Sequence, residues 1–151
     1  MAAAIITTDV LEEARTFFED RGTRGLVGTA LIAATGDGPA ERLVIPAQRA
    51  GRPPRCWVEV TKAGKLQLAT ALGPEDRYLA RIHSHPLMAF HSGTDDTNPA
   101  LTHQGAISIV VPFFGLGLRH GLDACAVYVR QGSHWRELVP GPARDAVLQA
   151  H

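Results

Sequence analysis

The stretch Arg81-Ile-His-Ser-His-Pro-Leu-Met-Ala-Phe-His-Ser-Gly-Thr-Asp-Asp96 decides how this chain reads. It continues an apolar run from Leu79 and stops at Pro86, which has no N–H with which to extend a strand ladder. On an extended strand, residues i and i+2 point to one side. His83 and His85 therefore project together, with Cα atoms roughly 6.5 Å apart, so both imidazoles can reach one ion. The loop after Pro86 can fold back and bring in Asp95, with the Ser92 hydroxyl three residues before it. Two imidazoles and a carboxylate leave a fourth tetrahedral position for water, which marks a catalytic zinc rather than a closed structural one. His91 and Asp96 compete as ligands. The offset from the serine favours Asp95, and His91 suits a supporting or solvent-facing place.

Outward from that stretch the chain alternates helix and strand. Val10, Leu11, Ala14, Phe17 and Phe18 recur at helical spacing, so residues 9 to 20 are expected to be an amphipathic helix capped by Thr8 or Asp9 and ended by Gly22 and Gly25. Residues 26 to 34 suit a buried strand, with a turn at 36 to 39 and a partner strand at 42 to 45. Gln48 to Arg55 reads as a loop, Cys56 to Val60 as a strand, and Ala63-Gly64 as a turn. Short helices are expected from Pro74 to about Tyr78 and near Pro99 to His103. Leu79 to His85 and Ile107 to Val111 are strands, and 124–130 with 134–138 form a hairpin. The tail after Pro140 is a short helix or loose. The expectation is one α/β domain over 1–151: a central mixed sheet with an N-terminal helix and one or two others, its core at about 8–138 and a tail at 139–151.

Composition narrows the class. The chain has 151 residues, enough for one self-sufficient core. Fifteen basic and fifteen acidic side chains cancel, which argues against a nucleic-acid track or an anionic membrane surface. Two cysteines, Cys56 and Cys125, are too few for a disulfide framework and read as reduced thiols, with one long-range bridge as the alternative. The N-terminus lacks a basic segment followed by a long apolar one, and no apolar run nears a membrane span. A cytoplasmic location is the expectation.

The residues His83-Ser-His85-Pro86…Ser92-x-x-Asp95 resemble the motif of the JAMM metallopeptidases, the zinc-dependent members of the JAB/MPN superfamily. The resemblance is strongest to bacterial JAB proteins encoded beside ubiquitin-like conjugation genes, including Bil-type anti-phage systems, and it spans about residues 8 to 138. It implies a JAB/MPN-like fold and a Zn2+ ion held by His83, His85 and Asp95. It also implies hydrolysis of the bond joining a ubiquitin-like protein to a lysine or short extension, with Ser92 stabilising the oxyanion. The implied partners are the ubiquitin-like protein or its conjugates, and activating or conjugating enzymes of the same operon. The family's general base is a glutamate at the start of the first core strand. Here the matching segment is Gly25-Leu-Val-Gly-Thr-Ala-Leu-Ile, and Val27 stands where that glutamate belongs. Losing a positioned base typically costs about 10² to 10⁴ in rate. The alternative is therefore a catalytically impaired module that binds zinc and its partner without turnover.

Other features read as structural. Glu19, Glu41 and Glu59 suit solvated surface charge. Gly115 to Gly121 matches no phosphate-loop spacing and suits a flexible loop. Trp57 and Trp135 are expected in the core. The arginines around 49 to 55 fit a solvated loop better than a docking site.

Overall fold

The computed structural model describes residues 2–89, 101 and 103–151. In chain order the elements are β1 (Ala4–Ile6), α1 (Thr8–Gly22), β2 (Thr29–Thr35), β3 (Ala40–Val44), β4 (Gln48–Ala50), β5 (Val58–Val60) and α2 (Lys62–Thr70). There follow β6 (Asp76–Ser84), β7 (Ile107–Val111), a 3-10 segment (Phe113–Ala124), β8 (Ala126–Gln131), β9 (His134–Glu137), α3 (Pro142–Asp145) and β10 (Leu148–Ala150). Eight strands form one mixed sheet in the order β10-β1-β3-β2-β6-β7-β8-β9, while β4 and β5 pair separately. The strand β6 lies antiparallel to β2 and parallel to β7. A parallel neighbour requires a crossover, so the chain leaves the end of β6 and returns only at β7.

Both faces of the sheet are covered. Ala30, Ile32, Ala80, Ile82, Ile107 and Ile109 turn to the larger cluster, against Val10, Leu11, Ala14 and Phe18 of α1 and Leu118 and Leu122 of the 3-10 segment. Burying each of the larger side chains contributes about 1.5–3 kcal/mol. Alternation sends Leu31 to the opposite face, with Leu68 of α2, Leu101 and Ala106. That second face also receives the buried Thr29, Arg81, His83 and Ser108. No helix among the described residues is long and apolar enough to cross a membrane.

The fold is the expected mixed α/β arrangement, with local differences that have physical causes. Thr7 caps α1, its hydroxyl accepting the Val10 N–H at 3.3 Å. Ala63-Gly64 is not a turn but the first turn of α2, capped by Thr61; Gly64 is needed because a Cβ there would stand 2.1 Å from the Ala47 carbonyl oxygen. Residues 74–78 do not form a helix. The Asp76 carboxylate accepts the Gly73 N–H and the Thr35 hydroxyl, both at 2.7 Å, and so starts β6 instead. The expected loop from Gln48 contains β4, and β5 joins it rather than the main sheet. Residues 113–124 pack as 3-10 turns, with Gly115, Gly117, Leu118 and Leu122 buried.

The tail holds a short helix, α3, one of the two expected alternatives, and then β10, which pairs with β1. Ile6, Arg144 and Leu148 are buried, so buried residues lie on both sides of 8–138. Trp57 is 48 % exposed, contrary to expectation, whereas Trp135 is half-buried against the second cluster. Cys56 and Cys125 are both free thiols, and burial pushes the Cys125 thiol up to about 12.

Candidate metal centre

The carboxyl end of β6 is gripped from three directions. Towards β2, the Ser84 N–H donates to the Gly28 carbonyl at 2.9 Å, and the Ser84 hydroxyl accepts the Gly28 N–H at 2.8 Å. Towards β7, the His85 N–H donates to the Val111 carbonyl at 2.8 Å. Beyond the strand, the Phe113 and Phe114 N–H groups donate to the carbonyls of Leu87 and His85, each at 2.8 Å. Phe113 and Phe114 adopt φ of 57° and 54°, left-handed backbone that side-chain-bearing residues occupy at a cost of about 1–3 kcal/mol each. Contact with α1 holds them there: a Cβ on Gly22 would stand 2.7 Å from the Phe114 Cβ, and one on Gly115 would stand 2.5 Å from the Phe18 Cβ. Packing of α1 thus reaches the histidine backbone through one turn.

His83 and His85 come together as the i, i+2 spacing predicts. Their Nε2 atoms are 3.2 Å apart, and the rings lie 5.0 Å between centroids at a 54° tilt. A tetrahedral ion bonded to two imidazole nitrogens at about 2.0–2.1 Å sets those nitrogens roughly 3.3–3.4 Å apart. The pair therefore fits one zinc-sized ion. The same separation suits an N–H···N bond with one ring as donor, and a bound cation would displace that proton. Asp95, Ser92, His91 and Asp96 lie outside the described residues. Among the described residues no three His, Cys, Asp or Glu side chains gather to hold a metal.

Opposite the histidines, β2 enters the sheet. Thr29 pairs with His83, and the Gly28–Ser84 bonds continue that register, so Val27 falls opposite His85. Val27 is buried, and its carbonyl accepts the Arg21 Nε–H at 3.0 Å. Of the three glutamates read as surface charge, Glu19 is held by Arg15 and Arg119, Glu59 pairs with Arg49 at 2.8 Å, and Glu41 is exposed. The guanidinium of Arg119 beside Glu19 holds its carboxyl below the usual range.

Several residues of this wall were missed from sequence. Arg81 lies two positions before His83 on the same side of β6, and Ser108 stands across from it on β7. The Thr29 hydroxyl is buried with no hydrogen-bond partner among the described residues. The Gln48 side-chain amide accepts the Thr29 N–H and donates to the Thr29 carbonyl, both at 2.9 Å, and so closes that edge of β2. Applying alternation to β2 and β7 as well as β6 would have found the first three; nothing local signals Gln48.

No family model matches the chain. Over 60 residues, 40% of the chain, it is 56% identical to the protein named "Probable metalloprotease y4jG" of Sinorhizobium fredii. That match spans 37% of the relative's length. Among solved structures, a solution structure from Desulfitobacterium hafniense aligns with 98% of the chain and 92% of its own, at 13% identity and a TM-score of 0.58. This shows a shared fold. A crystal structure of a JAB1/MPN domain protein from Archaeoglobus fulgidus aligns with 91% of the chain and 96% of its own, at 16% identity and a TM-score of 0.49.

Proposed function

We propose that this chain is a zinc-dependent peptidase of the JAB/MPN superfamily, one that cleaves a ubiquitin-like protein from a conjugate or precursor. The observation that carries the reading is the 3.2 Å separation of the His83 and His85 Nε2 atoms at a strand end gripped from three sides. The metalloprotease-named relative supports the same chemistry. In this reading His83, His85 and Asp95 hold the metal, and Ser92 donates a hydrogen bond to the oxygen that gains charge as the carbonyl is attacked. A bound zinc would supply Lewis-acid activation of water and of the scissile carbonyl. The three-sided grip fixes the backbone that carries the imidazoles, and loss of contacts that orient metal ligands typically costs about 10–100-fold in metal affinity. The setting in this proposal is the cytoplasm, beside ubiquitin-activating and ubiquitin-conjugating partners in phage defence.

Val27 favours a second reading. A buried valine opposite His85 can neither take a proton from the attacking water nor hand one to the leaving amine. The same fold would then bind zinc and its partner without efficient turnover. Two measurements separate the readings. Elemental analysis and zinc titration of the chain should give one tightly bound zinc, lost in His83→Ala. Absence of stoichiometric zinc sinks both readings. Chelator-sensitive cleavage of a ubiquitin-like fusion by the unaltered chain supports the enzyme. Binding without cleavage, with turnover appearing in Val27→Glu, supports the module.

A further inference from the structure

The hairpin of β4 and β5, with α2 behind it, concentrates positive charge in a neutral chain. Residues 45–71 hold Arg49, Arg52, Arg55, Lys62 and Lys65 against a single carboxylate, Glu59, and all six are exposed. The rest of the chain is correspondingly acidic. The register pairs Arg49 with Glu59 on one side of the hairpin, and the Gly51 N–H donates to the Trp57 carbonyl at 2.9 Å, extending the pairing by one step. The Trp57 indole lies on Gly51, where a Cβ would stand 2.1 Å from Nε1, and 48 % of the residue remains exposed. A rigid aromatic ring flanked by arginines is the composition of a binding hot spot. The hairpin also borders the histidine site. Gln48 clamps Thr29, the partner of His83, and Pro53 packs against Gly25, two residues before Val27.

We propose that the outer face of this hairpin docks an acidic segment of the polypeptide substrate, an inference that rests on the peptidase reading. Arg52 and Arg55 form no ion pair among the described residues and so offer donors to side-chain carboxylates, while Trp57 carries the apolar part of the segment. A polypeptide fits better than a nucleic acid. Glu59 sits inside the face, bonded to Arg49 at 2.8 Å. A polypeptide can space its carboxylates to meet Arg52 and Arg55 and pass Glu59 with an uncharged residue, whereas a phosphate track carries a charge at every nucleotide.

The test is fluorescence anisotropy of the metal-free full chain with a fluorescein-labelled peptide of about 15 residues rich in Asp and Glu, at low salt, where Coulomb contacts are least screened. Binding is expected to weaken at least about tenfold in Arg49→Ser/Arg52→Ser/Arg55→Ser and clearly in Trp57→Ala, and to stay unchanged in Arg136→Ser, an exposed arginine elsewhere. A triple variant within twofold of the parent overturns the proposal. So does an oligothymidylate of equal charge that binds as tightly and responds to the same variants. Peptide binding at the hairpin without metal-dependent cleavage would remove the peptidase reading and leave the docking face. Cleavage of the ubiquitin-like fusion with KM unmoved by the triple variant would remove the docking face alone.

Discussion

Replacing Ser84 by alanine tests whether the site depends on the bonds between β2 and β6. The Ser84 hydroxyl accepts the Gly28 N–H at 2.8 Å, and both residues are buried, so Ser84→Ala strands a backbone donor away from water. Leaving such a group unsatisfied costs about 1–3 kcal/mol, and the loss of one small oxygen leaves too little room for a replacement water. A loss of about 2 kcal/mol should lower Tm by roughly 4–8 °C in a domain of this size. It should also move the urea midpoint by about 1 M, with the slope unchanged. The loss should appear in the metal-free protein, because the bond is part of the fold. Hydrogen exchange at the Gly28 amide should quicken in the same variant, and zinc affinity should fall because Ser84 lies between the two histidines. Stability within about 0.5 kcal/mol of the parent, with Gly28 still protected, would refute the account of how β2 is held.

Three further predictions rest on separate contacts. Gly115→Ala places a Cβ 2.5 Å from the Phe18 Cβ at a φ of +93°, and should cost about 2–4 kcal/mol in chemical denaturation. Because Phe114 bonds the His85 carbonyl, it should weaken zinc binding as well. Arg144 is buried and donates to the carbonyls of Leu138, Leu122 and Cys125 at 2.7, 2.7 and 3.1 Å. Arg144→Ala should therefore destabilise by about 3 kcal/mol or more in the same assay. The Glu19 carboxyl is held below its ordinary value by Arg119 and Arg15, so its contribution to stability is present above about pH 4.5 and is lost as pH falls below that. Glu19→Gln should remove that part of the pH dependence in denaturation curves taken between pH 3 and 6.

The parts legible in sequence were those carried by strong local pattern. Helix α1, the β-branched run of β7 and the β8–β9 hairpin follow from periodicity over whole elements. The pairing of His83 with His85 follows from the geometry of any extended strand. The failures lie where a distant group overrides a local preference. Gly64 reads as a turn until the Ala47 carbonyl pressing on it is seen. Pro74 reads as a helix start until Asp76 bonds Gly73 and Thr35. Three-residue strands such as β1 and β10 carry no periodicity of their own, and exist because each supplies the other with hydrogen bonds. Trp57 looks like a core residue by type, but it lies on a glycine at the edge of a separate hairpin.

For the proposed site, the sequence by itself determined which residue types stand at the end of β6. It set two imidazoles on one side of a strand and a proline to end that strand. Those facts depend on residue type and a spacing of two, which need no knowledge of the rest of the molecule. Only the tertiary structure decided that Val27 stands opposite His85, that α1 braces the histidine backbone through Phe113 and Phe114, and that Thr29, Arg81 and Ser108 share the wall. The reason is that sheet register and helix packing are long-range properties. Gly28 and Ser84 are 56 residues apart, and what brings them together is the burial of two apolar faces rather than anything written near either residue.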